Sequence, residues 1–202
     1  MEIRQAGGMM RSWMLAIAVG AWMAWSRVVA GEQLPSRPEG DEVSIEDVCR
    51  ETVCQHNIRV RLKEKSGEVF DRTFDVMPGV VQPRWLAIIA GQSLYVEAER
   101  DGDRLGNFRV VASVAHPERT LTIHFQQTED GSMLLTVTNP FHQALKFDMG
   151  MMPLDSGRLL KTSSCPVIAG GSSFESWPQP IFQVVLANPR FIDVGQGQMA
   201  CD

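Results

Sequence analysis

Cysteine, methionine, histidine and serine are the side chains of this 202-residue chain that could do chemistry, and the cysteines are the most informative. There are four: Cys49, Cys54, Cys165 and Cys201. An even number of cysteines behind an export leader points to disulfides rather than to free thiols. Three pairings are open, and Cys49–Cys54 with Cys165–Cys201 is the one expected, because it treats the two halves of the chain separately. A cross-pairing such as Cys49–Cys201 is the alternative and would tie the ends together. Closing the short first loop is worth roughly 2 kcal/mol in the chain-entropy model and closing the second nearer 4 kcal/mol. The rival is a metal site, since Cys49 and Cys54 are followed closely by His56. No second Cys or His pair at matching spacing completes a tetrahedral set, and no CxxC motif supports disulfide exchange.

Soft-metal binding is a second chemistry to weigh. Met149, Met151 and Met152 lie close together, with His142 upstream, and thioethers with imidazole suit Cu(I). Met149 and Met151 share strand parity with Leu145 and Phe147, however, so core packing is the expectation. Hydrolysis is the third. Gly91-Gln92-Ser93 and Gly170-Gly171-Ser172-Ser173 come nearest to a nucleophile elbow, and neither fits the motif. The four histidines, His56, His116, His124 and His142, fall at strand ends, on a polar strand face or after a corner. Phosphate-binding, dinucleotide, zinc-protease and calcium-loop motifs are missing. The chain is expected not to be an enzyme, and to need neither metal nor cofactor.

Two features could serve binding. Trp177 stands between Ser176 and Pro178, with Pro180 beyond, so an extended backbone could present the indole to a partner. A plug at the end of the fold is the plainer role. Ile58, Val60 and Leu62 alternate with Arg59, Arg61 and Lys63, which reads as an edge strand able to recruit another strand, or as one whose charges prevent that.

Those residues need elements to hold them, and the hydrophobic period supplies strands. Leu121, Ile123 and Phe125 alternate with Thr122, His124 and Gln126; Met133, Leu135 and Val137 alternate with Leu134, Thr136 and Thr138. Asp130-Gly131 is turn chemistry between them. Leu145, Phe147, Met149 and Met151 then resume on one face, with Lys146 and Asp148 on the wet one, so 119–151 reads as a three-stranded meander. Upstream, 58–63 and 69–77 form a hairpin, 85–89 is a continuous apolar run, and 93–99 and 108–114 are further strands. Downstream, 181–186 and 190–194 are the last two, and 165–180 is a loop-like region of Gly, Ser and Pro. Eight or nine short strands predict an all-β, antiparallel β-sandwich. A short helical turn at 44–47 precedes it. An immunoglobulin-like topology suits the architecture, although the Cys…Trp…Cys core signature is missing.

Residues 1–30 read as a secretory signal peptide: Arg4 and Arg11, an uncharged apolar run from Ser12 to Ser26, then Val28-Val29-Ala30 before Gly31. The run falls short of the ~20 residues that span hydrocarbon, so no stable membrane insertion is expected once the leader is removed. Residues 31–43 read as a flexible leader and 44–202 as one domain. The full chain carries −5, and losing Arg4, Arg11 and Arg27 against Glu2 makes the remainder more acidic still, which argues against nucleic acid. The reading is an exported, disulfide-stabilised, non-catalytic binding domain of the bacterial envelope, periplasmic or secreted. Its partner would be a protein or another envelope component, and its oligomeric state is open. A copper-handling protein using the Met-rich strand and a secreted hydrolase are the alternatives.

Overall fold

The computed structural model describes residues 47, 49–50, 52–82, 85–193 and 201. The expected signal peptide and the leader at 31–43 lie outside them. Asp47, Cys49 and Arg50 have helical backbone, where a turn was expected to run into the first cysteine. Twelve strands follow: β1 (Gln55–Lys63), β2 (Val69–Met77), β3 (Val81–Gln82), β4 (Trp85–Ile89), β5 (Ser93–Asp101), β6 (Arg104–Val111), β7 (Thr120–Gln127), β8 (Met133–Thr138), β9 (Ala144–Pro153), β10 (Leu160–Thr162), β11 (Ser172–Trp177) and β12 (Ile181–Ile192). All described pairings are antiparallel.

The main sheet runs β10-β9-β12-β6-β5-β7-β8-β11, with β4 also on β12 and β3 on β4. Its two ends, β10 and β11, do not pair with each other, so it is an open, sandwich-like fold rather than a barrel. Strand β12 joins the halves. Gln183–Ala187 pair with β4, and Arg190 pairs with Arg104 of β6. Asn188 and Pro189 make the change of partner possible. Asn188 takes a positive φ of 48°, Pro189 has no N–H to give a neighbour, and the register slips between Ala187 and Arg190. Sequence reading splits this strand in two at the same point. The backbone instead runs through as a bulge, because β9 stays paired on the other side.

Alternation places Leu121, Ile123 and Phe125 of β7 and Met133, Leu135 and Val137 of β8 in one buried cluster with Leu86, Ile88 and Val184. The β1–β2 hairpin is a separate two-stranded sheet that covers one end of this core. Val60 and Leu62 point inward, and Phe74 meets Phe182 edge-on at 5.4 Å. At that end the Gln127 amide clasps the Lys63 backbone, accepting its N–H at 2.7 Å and donating to its carbonyl at 2.9 Å.

The expected meander needs correcting. Strands β7 and β8 do form a hairpin, but β8 pairs on with β11, and β9 crosses to the other half to pair with β12. Asn139 is the corner. Fully buried, it donates its amide to the carbonyls of Gln143, Val167 and Ile168 at 2.9, 3.2 and 3.1 Å, and accepts the Phe141 N–H at 2.9 Å. One side chain thus ties together three carbonyls and one N–H of the segments that meet at the crossing, adding to the backbone bonds that Val167 and Ile168 already accept.

A second correction concerns Lys146, which is buried rather than wet. The segment before Val167 lies over it: the Lys146 ammonium donates to the Ser164 carbonyl, and Ser164 Oγ donates to the Phe147 carbonyl at 2.9 Å. A third is β11, in the stretch expected to be loop-like. It hides because its inward residues are Ser173, Glu175 and Trp177 while Phe174 faces solvent, the reverse of an ordinary half-buried strand.

Candidate functional site

Disulfides join Cys49 to Cys54 and Cys165 to Cys201. The second sits where 163–171 passes between β10 and β11 and closes that flank. There the Cys165 N–H donates to Glu175 Oε1 at 2.7 Å.

The opposite flank is open. Among the described residues β3 pairs only with β4, and β6 beyond Arg104 pairs only with β5, so two strand edges border a gap where the halves part. This gap is a groove of about 600 Å³, with Val53, Val81, Leu94, Phe108 and Val110 supplying most of its apolar lining. It runs into a second hollow of about 660 Å³ that shares Val81, Gln82 and Phe108 and ends at Arg104, Asn188 and Arg190.

Local rules explain the opening. Asn107 takes a positive φ of 49° and sits at a bulge in β6, where the register against β5 slips between Glu97 and Glu99. With the Asn188-Pro189 bulge opposite, neither strand can continue the ladder that begins at Arg104–Arg190. Thr52, Val53 and the bridged Cys54 form the outer wall, pressed so close that a Cβ on Gly79 would stand 1.8 Å from the Val53 carbonyl oxygen. Val53 is 89% exposed and Val110 44% exposed, so the wall presents apolar surface to water.

Charge around the groove is one-sided. Arg104, Arg109 and Arg190 line the two hollows, and no Asp or Glu does. Arg109 donates to Glu97 at 2.6 Å and Arg190 to Asp148 at 2.9 Å, while Arg104 has no ion-pair partner among the described residues. The hydrogen bond from Arg109 is the main reason that the Glu97 carboxyl titrates below the usual glutamate range, against an opposing push from burial.

The residues singled out for chemistry are dispersed. Trp177 does not stand on an exposed loop. Its indole is buried, edge-on to Phe125 at 6.2 Å, and its Nε1 donates to Thr162 Oγ1 at 3.0 Å. The reason is strand parity, which turns Trp177 to the same side as Glu175. Met149 is buried in the core and Met151 packs against it, while His142 is exposed at the corner. Arg59 forks onto Asp71 across the hairpin at 2.8 and 2.7 Å, so the basic face of β1 is partly neutralised within its own sheet. One pair does come together: Ser93 Oγ lies 2.8 Å from His124 Nδ1, directly across β5 and β7.

Sequence reasoning missed the groove. Its only signals were Asn188-Pro189 inside an apolar run and valines at 53, 81 and 110 that no period assigns to a core.

Fold and site together define a class: a disulfide-stapled, antiparallel all-β domain with a sandwich-like core and one open flank. No helix among the described residues is long and apolar enough to cross a membrane. Comparison with protein-family models, curated proteins and solved structures finds no match for this chain.

Proposed function

We propose that this chain is an exported domain of the bacterial envelope that works by binding rather than by catalysis, with the groove between β3 and β6 as its recognition surface. One observation carries the reading: exposed valines and a half-buried phenylalanine line a concave gap bordered by two unpaired strand edges. Concave apolar surface with a few convergent polar groups is where ligands bind most often, and clustered exposed apolar side chains mark interaction sites. The leader-like N-terminus and the two disulfides support export to an oxidising compartment.

Capture from envelope extract tests the proposal when wild type is compared with Val110→Asp. The substitution places a charge in the groove at a position already open to water, so folding should survive it. The expected result is a component retained by wild type and lost from the variant at unchanged melting temperature. Identical retention by both proteins would remove the groove from the account.

The hydrolase reading has one observation on its side, the Ser93–His124 pair at 2.8 Å. A serine beside a base is the beginning of a nucleophilic site. Among the described residues no carboxylate hydrogen-bonds the other ring nitrogen, and neither residue of the pair lines either hollow. A cross-strand hydrogen bond is therefore the preferred interpretation. Chromogenic ester turnover abolished by Ser93→Ala would reverse that preference.

A further inference from the structure

We infer that the free edge of β6 takes up an extended peptide strand from a partner protein, with alternate apolar side chains laid into the groove and an acidic side chain near Arg104. This rests on the groove being the binding surface and goes on to name its occupant.

The backbone supplies the first argument. Past the bulge at Asn107 and Phe108, Arg109–Val111 continues as regular strand, paired with β5 on one side and with nothing described on the other. Backbone N–H and C=O groups on such an edge are strong, directional and unmet by protein partners, which makes an edge a template for another strand. Side-chain parity supplies the second. Phe108 and Val110 are two apart and both line the groove, so a strand added here would set its own alternate residues against them and against Val53 and Val81 opposite.

Charge selects the partner. Three arginines and no Asp or Glu are among the residues lining the hollows, in a chain where Asp and Glu outnumber Lys and Arg by 24 to 19. Arg109 and Arg190 already hold Glu97 and Asp148, whereas Arg104 is uncommitted. An acidic residue on the incoming strand would complete the set. A second copy of this chain would bring a like-charged rim to the same place, which disfavours self-pairing.

The test uses the mature chain and synthetic eight-residue peptides, the length of β6. The first alternates valine and threonine with one terminal glutamate. The second is the same peptide N-methylated at alternate amides, and the third carries lysine in place of the glutamate. Saturable binding of the first is expected, with slowed hydrogen exchange at Phe108–Val111. N-methylation should weaken it by about tenfold or more, the loss expected for a pair of hydrogen bonds. The lysine peptide should bind roughly threefold to fivefold more weakly to wild type, as for an exposed ion pair, and Arg104→Glu should invert that preference.

Equal affinity of the methylated and unmethylated peptides, or no binding of the first, overturns strand addition. Anilinonaphthalenesulfonate separates that failure from failure of the groove itself. If its fluorescence rises with wild type and not with Val110→Asp, the groove still binds apolar ligands and only the strand is wrong. If the dye ignores the substitution as well, both readings fall. A dimer in sedimentation that Val110→Asp dissolves would assign the groove to a second copy and also overturn the inference.

Discussion

The backbone N–H of Cys165 donates to the buried carboxylate of Glu175 at 2.7 Å, so an acidic side chain on the inner face of β11 anchors the very residue that carries the second disulfide. The contact ties a strand on one side of the fold to the segment that closes its flank. It also explains why β11 tolerates a glutamate where a hydrophobic residue would ordinarily sit: a buried backbone donor needs an acceptor, and a carboxylate is a strong one. The two flanks thus differ in kind, one stapled and hydrogen-bonded shut, the other left open at β3 and β6.

Breaking the two disulfides should have unequal effects. The Cys165–Cys201 bridge closes 36 residues and the Cys49–Cys54 bridge only five. Cys165→Ser with Cys201→Ser should cost about 4 kcal/mol in urea unfolding, and Cys49→Ser with Cys54→Ser about 2 kcal/mol. The second pair should have its larger effect on the groove wall, read as a fall in apolar dye binding.

Trp177→Ala should destabilise the domain by about 3–5 kcal/mol in chemical denaturation, because it empties a site against Phe125 and leaves Thr162 Oγ1 without its donor. Trp177→Phe should recover a large part of the loss by restoring the edge-on ring. Unchanged stability of the alanine variant would mean that the indole is not the plug its burial indicates.

Asn139→Ala should cost about 1–3 kcal/mol, since Gln143, Val167 and Ile168 lose a shared donor and the Phe141 N–H loses its acceptor. Asn139→Asp is the sharper comparison. It keeps the acceptor and the shape but removes the N–H groups, so it should be no better tolerated than alanine at neutral pH.

Stability should fall on the acid side through Glu97. Its carboxyl titrates below the glutamate norm in the folded chain, chiefly because Arg109 donates to it, so the folded state binds that proton less readily than the unfolded state. The contribution is therefore complete above the unfolded value of about pH 4.3 and disappears as pH drops through the lower folded value. Melting temperature measured from pH 6 down to about pH 3 should decline less steeply for Glu97→Gln than for wild type across that interval. Parallel declines would show that Arg109 contributes nothing through this carboxylate.

Gly79→Ala should be destabilising although the position is neither a turn nor at positive φ. The added carbon would overlap the Val53 carbonyl oxygen, which belongs to backbone and cannot swing aside. A loss of about 1–3 kcal/mol is expected from overpacking. A smaller loss from Gly79→Ala in a background already carrying Cys49→Ser and Cys54→Ser than in wild type would locate the clash in the bridged loop.

Much of the architecture was legible because period-2 alternation is local: Leu121, Ile123 and Phe125 announce a strand whatever they pack against, and β2 and β4 begin and end where their apolar runs and turn residues say. Where an inward face is polar, as at Ser173 and Glu175, the same logic fails, since the alternation inverts and the strand is taken for loop. Lys146 was misplaced for a related reason. Its cover comes from Ser164, eighteen residues on, and no window along the chain contains both.

The amino-acid sequence by itself determined the all-β class, the turns, most strand positions and the supply of four cysteines, because each follows from near neighbours along the chain. Tertiary structure alone decided how strands distant in sequence pair, that Trp177 faces inward and that β3 and β6 stay apart. Those outcomes depend on groups distant in sequence competing for the same partners: the Asn139 corner sends β9 away from β8, and the bulges at Asn107 and Asn188 stop a ladder that would otherwise have sealed the groove.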